Sequence, residues 1–391
     1  MRGFWLDIRE TVMKISLANR CPYDSSKFVY IDPIDDFRKL LLNCHVDDLT
    51  KVSTWPAKTA ELNFALTTRY GKPKLYDPMT DYLGMQFIYQ DNGAITVHMS
   101  NHITAMVTDF NLQVGNQPNA PRQPSSLTVL KRDPSSPPFN VKMYQKGSGK
   151  ILYPAVQIRS DILLASKNAC KYNHNPTIQD AQNLQQVAEY LASTHDLGPT
   201  FYTTGGAVLK AKCDTGFAVD PITGQSRTAL SLHIGSFDNA ACIAKTWNLT
   251  ILTNSASIAE FIGMSDVARV IVEARNVLDW CGFPQTEPTS IAFLPNGDPQ
   301  HINLPTELQS DCSSAITMVK SEDMTKGTKH LLAREQYIRQ EYELGTIDPI
   351  KVSTKDFSID FMTKACVGED FKSKRNQHFN VKANPDFKKY L

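Results

Sequence analysis

Residues 257–281 read SIAEFIGMSDVARVIVEARNVLDWC, and this stretch decides the fold class. Apolar side chains recur at spacings of three and four, which predicts a helix. Ser257 stands where a cap belongs, Glu260 occupies the capping-box position, and Gly282 follows the end. One residue breaks the pattern. Glu260 shares a face with Met264, Val267, Ile271 and Leu278, so a carboxylate sits on an apolar stripe. That placement costs free energy unless the group is paired or bound to a cation. Before the helix, Leu209, Ala211 and Cys213 alternate with Lys210 and Lys212 as a strand does, and residues 228–236 and 241–252 add two more. After it come a helix over 329–344 ended by Gly345, a short strand at Ile347, Ile350 and Val352, and a last helix from about Thr354. Strands alternating with helices predict an α/β domain.

Working outward, residues 154–172 and 177–194 read as helices, with a softer break near Thr203-Thr204-Gly205-Gly206. The clearest break is GNQPNAPRQPSSLTVLKRDPSSPPF at 115–139. Its prolines fix φ and remove donors, so the segment reads as an extended linker. Further back, strands are expected at 28–31 and 39–46 and a helix at 55–70. Residues 84–89 and 94–97 read as a hairpin turned by Asn92-Gly93, a pair that tolerates positive φ. From Lys372 the chain carries Lys372, Lys374, Arg375, Lys382, Lys388 and Lys389 against Asp386 alone, which reads as a basic, poorly ordered tail. There is no internal repeat.

Composition excludes several classes. The 391 residues hold 41 Lys+Arg against 40 Asp+Glu, a net charge of +1, so nothing suggests coating of nucleic acid by bulk charge. With 41% hydrophobic residues the chain is neither fibrous nor wholly disordered, and its length suits two or three domains. No run of 18 apolar residues suggests a membrane span, and the charged N-terminus is unlike a secretory signal. The 8 cysteines form no CxxC pair, which argues for buried free thiols rather than a zinc site. Asn248-Leu249-Thr250 fits a glycosylation sequon without a secretory context, and reads as chance.

The residues that could carry chemistry are acids. Asp47-Asp48 follows an apolar strand directly, where adjacent like charges need a hard cation or strong solvation. A solvated turn is the plain explanation. Asp214 ends a strand, Glu260 lies on the long helix, Asp311 precedes a helix start, and Asp360 lies in the first turns of the last helix. Each has an ordinary reading as strand end, helix surface, N-cap or dipole partner. Together they could converge at one sheet edge, the arrangement that two-metal phosphodiester chemistry needs.

The motifs resemble, in order, those of copia-type LTR-retrotransposon Pol proteins. HVDDL (45–49) is similar to the YVDD palm turn of their reverse transcriptases, followed by DYLGMQF (81–87) and the thumb-like NHITAMVTDFNL (101–112). GSGKILYPAVQIRSDI (147–162) resembles the connection segment, and the stretch from Asn175-Pro176 to Thr194 its following helix. CDTGFA resembles "DADWA", SASIAEFIG resembles "SSTEAEYMA", and SDCSSAI resembles "CDNQSAI". GTKHLLAREQYIRQEYELGTI and STKDFSIDFMTK are similar to the "RTKH" and "ADxLTK" elements that close the family's RNase H domain.

The resemblance implies an α/β and α+β chain: a remnant reverse-transcriptase palm and thumb (1–114), a Pro-rich linker (115–139), a connection segment (140–205), an RNase H-like mixed-sheet α/β domain (206–371) and a basic tail (372–391). It places Asp214, Glu260, Asp311 and Asp360 on the four RNase H acids, which would hold two Mg²⁺, and Asp47 and Asp48 on the polymerase metal turn. His330 falls in the TKH element, where a capping or core histidine is its plain reading. The implied activity is Mg²⁺-dependent hydrolysis of the RNA strand of an RNA–DNA hybrid. The implied partners are that hybrid, other nucleic acid, and other Pol products or a second copy, in the cytoplasm within a virus-like particle or in the nucleus, with no membrane. The segment at the start of the chain resembles the late palm, so the fingers and first palm aspartate are expected to be missing and polymerase activity lost. His45, Gly216, Phe217, Ala229 and Gly327 depart from the family pattern, at substrate contacts rather than at the four acids. The alternatives are a non-catalytic nucleic-acid-binding remnant of a decayed element, or a fragment of an active RNA-directed DNA polymerase.

Overall fold

A computed structural model of the chain describes residues 2–46, 48–112, 114, 135–202, 206–220, 223–293, 299–321 and 332–390. Asp47, most of the Pro-rich segment, Thr203 to Gly205, Gly327 and His330 lie outside the described residues. The chain divides into two compact units, Met1–Tyr82 with Val272–Thr286, and Leu83–Ile271 with Glu287–Leu391.

The first unit contains α1 (Arg2–Met13), β1 (Asn19–Arg20), β2 (Lys27–Ile31), β3 (Lys39–His45), β4 (Asp48–Ser53) and α2 (Pro56–Tyr70), with β5 (Asp81–Tyr82) at its edge. β1 to β4 form an antiparallel sheet in sequence order. Alternation along β2 and β3 turns Phe28, Tyr30, Leu40, Leu42 and Cys44 to one face, where they bury against Ile8 and Val12 and against Leu62 and Leu66. The strand expected over 39–46 is present as β3; His45 pairs with Asp48, which opens β4 rather than standing in a turn, and Val46 takes φ +56°.

In the second unit, β6 (Met85–Tyr89) and β7 (Ile95–His98) form the expected hairpin, and β8 (Thr200–Phe201) pairs with β7. Gly93 alone takes the positive φ there, +80°, while the Asn92 side chain accepts from the Ala94 amide. The turn is therefore longer than a two-residue one. Helices α3 (Ser100–Thr108), α4 (Val141–Gln157), α5 (Leu163–Cys170) and α6 (Ile178–Ser193) follow. The helix expected over 154–172 is broken. Arg159 turns inward at the break, fully buried, to grip Asp161 with two hydrogen bonds of 2.9 and 2.8 Å and to donate to the Thr194 carbonyl.

A five-stranded mixed sheet carries the rest, built from β9 (Leu209–Gly216), β10 (Arg227–Ile234), β11 (Ile243–Asn248), β14 (Thr306–Ser310) and β15 (Ile347–Lys351) in the order β11-β10-β9-β14-β15. β10 runs antiparallel to β9 and β11, and β14 runs parallel to β9 and β15. Helices α7 (Ala256–Trp280), α8 (Ser313–Lys320) and α9 (Leu332–Glu343) connect them, with a hairpin of β12 (Thr286–Phe293) and β13 (Pro299–Asn303) between α7 and β14. The fold is mixed α/β, as expected. The cap of α7 is Ser255, whose Oγ accepts from the Ile258 amide, rather than Ser257, whose hydroxyl meets Ser314.

β9 was expected to alternate between core and solvent, yet Lys212 and Asp214 are as buried as Cys213. Both sheet faces are covered. On one, Gly263 of α7 comes so close that an added Cβ would stand 2.1 Å from Thr215 Oγ1. On the other, α3 to α6 share a single core with Ala229, Phe357, Ile359, Phe361, Met362 and Phe371. That core also corrects the last helix. Phe357, Ile359, Phe361 and Met362 are all buried, a spacing no single helix face supplies, and residues 354–362 form two short 3-10 turns. Helix starts only at α10 (Gly368–His378). The basic stretch after Lys372 is not a loose tail: Lys374, Arg375 and His378 are buried, and Phe379, Val381 and Phe387 pack on Leu197. Lys374 faces Asp360 and Asp370, Arg375 donates to the Tyr190 hydroxyl, and Lys389 pairs with Asp196.

Candidate metal centre

The expected convergence of acids is observed for three of them. One carboxylate oxygen from each of Asp214, Asp311 and Asp360 lies within 4.8 Å of the other two. Asp214 sits inside β9 on the face covered by the 354–362 turns. Asp311 follows the end of β14, where it meets the start of α8. Asp360 opens the second 3-10 turn beneath the sheet. The parallel pairing of β9 with β14 brings the first two to one end of the sheet. Asp311 is not the N-cap of α8, since Cys312 holds that place. Among the described residues no other group of three potential ligands forms, and Asp48 is exposed and belongs to none.

Glu260 stands outside that set but is tied to it electrically. It lies in the first turns of α7, one turn before Gly263, and is 6% exposed. Burial pushes its carboxyl up to about 10, and the nearby carboxylates of Asp214 and Asp311 push the same way, against the Thr215 amide that bonds to it. Its Oε2 is buried and has no hydrogen-bond partner. Asp214 is raised to about 6, first by burial and then by Asp360 and Asp311, against Lys364 and Thr363. A cluster of acids too short of positive charge to ionise fully is a site that a hard cation would stabilise.

The cations that face these acids are two lysines. Lys374 of α10 places its Nζ 2.9 Å from Asp360 Oδ2 and 3.0 Å from Asp370 Oδ1. Lys364 stands 3.2 Å from Asp360 Oδ1 and 3.7 Å from Asp214 Oδ1. Burial acts to lower Lys364, but Asp214 and Asp360 outweigh it and hold the ammonium above its ordinary range. Thr363 Oγ1 donates to Asp214 Oδ2. Met362-Thr363-Lys364 lies inside the STKDFSIDFMTK motif, so the position was visible; only the three-dimensional placement shows what the two side chains hold.

On the same sheet face, Arg227 lies two residues from Ala229, the partner of Asp214 across the strands. It helps to line a cavity of about 430 Å³ together with Lys167, Lys171, Leu152, Val156 and Trp247. Arg227 is held by Asn248 and Asn168, and Lys171 by Asp220.

No protein-family model matches the chain. It is 21% identical over 347 residues to the retrovirus-related Pol polyprotein from transposon TNT 1-94 of Nicotiana tabacum. The likeness supports a retrotransposon Pol origin. It covers 87% of this chain and 24% of that polyprotein, so the chain spans about a quarter of its relative's length. No helix among the described residues is long and apolar enough to cross a membrane.

Proposed function

We propose that this Pol-related chain is a Mg²⁺-dependent ribonuclease that hydrolyses the RNA strand of RNA–DNA hybrids. The observation that carries the reading is the meeting of Asp214, Asp311 and Asp360 at one end of a mixed sheet, with the unpartnered Glu260 Oε2 beside them. An all-carboxylate donor set fits Mg²⁺, which takes oxygen ligands and keeps several waters. Asp214, Glu260, Asp311 and Asp360 would hold two such ions. Bound there, they would supply charge stabilisation at the scissile phosphate and a water of lowered pKa.

The chain's own residues do the positioning. β9 and β14 fix Asp214 and Asp311, Thr363 and Lys374 orient Asp214 and Asp360, and the close seat of Gly263 sets the depth of Glu260. The cationic cavity on the Asp214 face supports nucleic acid as the partner, recognised through backbone and 2′-hydroxyl contacts. The test is cleavage of a hybrid labelled on its RNA strand. The purified chain is expected to cut it with Mg²⁺, and Asp311→Asn to lower the rate at least about 100-fold, the scale on which removal of a charge-stabilising group acts. Failure of the native chain to cut, or equal cutting by the variant, would remove the proposal.

A further inference from the structure

The two buried aspartates of the centre each have one oxygen committed to the protein. Asp214 Oδ2 accepts from Thr363, and Asp360 Oδ2 pairs with Lys374. On these two the oxygens left to receive a cation are Asp214 Oδ1 and Asp360 Oδ1, the latter buried without a hydrogen bond, and the half-buried Asp311 offers its own carboxylate beside them. Lys364 stands against both, at 3.7 and 3.2 Å. Its side chain is 43% exposed, whereas those of Asp214 and Asp360 are 1% and 4%. The ammonium can therefore withdraw into solvent along its own four-carbon stem while the carboxylates stay where the sheet and the turn hold them. Lys374 differs: its side chain is 11% exposed and it is held from the far side by Asp370 as well.

We infer that Lys364 is a tethered competitor for the divalent cation: ammonium and metal need the same two oxygens, so loading is an exchange of one for the other. The consequence follows from charge and geometry. A protein whose binding-competent arrangement requires the lysine to leave shows a weaker apparent affinity, by the fraction of time the lysine is away. The exchange rests on the cation-binding part of the proposed function and is independent of hybrid cleavage.

The experiment is titration of the full chain with Mg²⁺ and with Mn²⁺, followed by calorimetry and, for Mn²⁺, by the free-ion electron paramagnetic resonance signal. Lys364→Met is expected to bind either ion at least about tenfold more tightly and to melt at lower temperature in chelator, where its two carboxylates have lost their counterion. Lys364→Arg keeps the charge and is expected to keep an affinity near that of the native chain. Lys320→Met, which removes the same charge from the Asp348 pair elsewhere, is expected to leave cation affinity unchanged and so controls for net charge. A second readout uses acetylation of lysines scored by mass spectrometry: Mg²⁺ is expected to raise the labelling of Lys364. Affinity of Lys364→Met equal to or weaker than native, or labelling of Lys364 that Mg²⁺ leaves unchanged, would overturn the exchange. If neither the native chain nor Lys364→Met binds either ion, the metal reading and the exchange both fail. If the native chain binds them but cuts no hybrid, only the ribonuclease reading fails.

Discussion

Glu260 sits on the apolar stripe of α7 with its Oε2 buried and unpartnered. An acid on the apolar stripe of an amphipathic helix announces itself by its cost, and the structure shows that cost as a buried carboxyl raised to about 10. Asp214, raised to about 6, shares the burden. Both groups hold protons more firmly in the folded chain than in the unfolded one. Their contribution to stability is complete at low pH, below the ordinary carboxylate range, and is lost as pH rises through about 6 for Asp214 and about 10 for Glu260. In chelator, these two groups are expected to lower the melting temperature as pH rises from about 5 to about 9, and Mg²⁺ to restore it increasingly over the same range. Glu260→Gln removes the penalty of ionisation. It is expected to stabilise the chain in chelator at pH 8 by roughly 1 kcal/mol or more and to shrink the gain from Mg²⁺. Thermal melts in chelator and in Mg²⁺ decide this, and a destabilised Glu260→Gln with an intact Mg²⁺ response would contradict it. The lysines were less legible. A lysine near an acid in sequence is usually a solvated neighbour, and nothing in MTK spacing says that Lys364 faces two aspartates 150 and 4 residues away.

At the scale of elements, the seat of α7 on the sheet matters most. Its periodicity and its terminal Gly282 were legible, because a helix repeats its burial every three to four residues and ends where a residue can take positive φ; Gly282 does so at +78°. The role of Gly263 was not, since a glycine inside a helix reads only as a weak point. In the structure it allows the helix to approach Thr215 and Thr228, whose hydroxyls lie 2.1 and 2.7 Å from where a Cβ would be. Those hydroxyls contact each other at 3.1 Å, so they cannot both turn aside freely. Gly263→Ala is expected to cost about 1–3 kcal/mol through overpacking and, by lifting the turn that carries Glu260, to weaken Mg²⁺ binding as well. Urea denaturation and calorimetry measure the two effects; a variant as stable as native that binds Mg²⁺ equally would show that the close seat is not needed. The segment 354–362 departs from helix for the opposite reason. Helical periodicity is a signal of one buried face, and here consecutive residues are buried on all sides, so the chain follows the demands of packing.

At the scale of the whole second unit, a buried polar chain ties the connection helices to the C-terminal helix. Arg159 and Asp161 pair at 2.8 Å with neither side chain exposed, the Tyr190 hydroxyl donates to Asp161 at 2.7 Å, and Arg375 donates to that hydroxyl at 3.0 Å. Breaking such a pair from one side leaves a buried charge uncompensated, which costs about 3–5 kcal/mol. Asp161→Ala is therefore expected to destabilise the chain by that amount in urea denaturation. Because Lys374 neighbours Arg375 on α10, it is also expected to disturb the Asp360 carboxylate, seen as weaker Mg²⁺ binding. Loss of less than about 1 kcal/mol would mean that the network is not structural. The net charge of +1, taken alone, carries little information: acids crowd one end of the sheet, and many of the cations are spent on holding them or on internal pairs.

By itself the sequence determined the long helix of 257–281 and the main strands, the mixed α/β class, the order of motifs and which acids were candidates, because periodicity, turn residues and ordered motifs are local and survive being read in one dimension. Only the tertiary structure decided that Asp214, Asp311 and Asp360 meet, that Lys364 and Lys374 stand against them, and that the basic C-terminal stretch is packed rather than loose. Convergence depends on strand order and on the covering of both sheet faces. These are set by packing between residues far apart in the chain, such as Leu308 on Ala211 and Phe357 in one core with Ala229, and no local spacing encodes them.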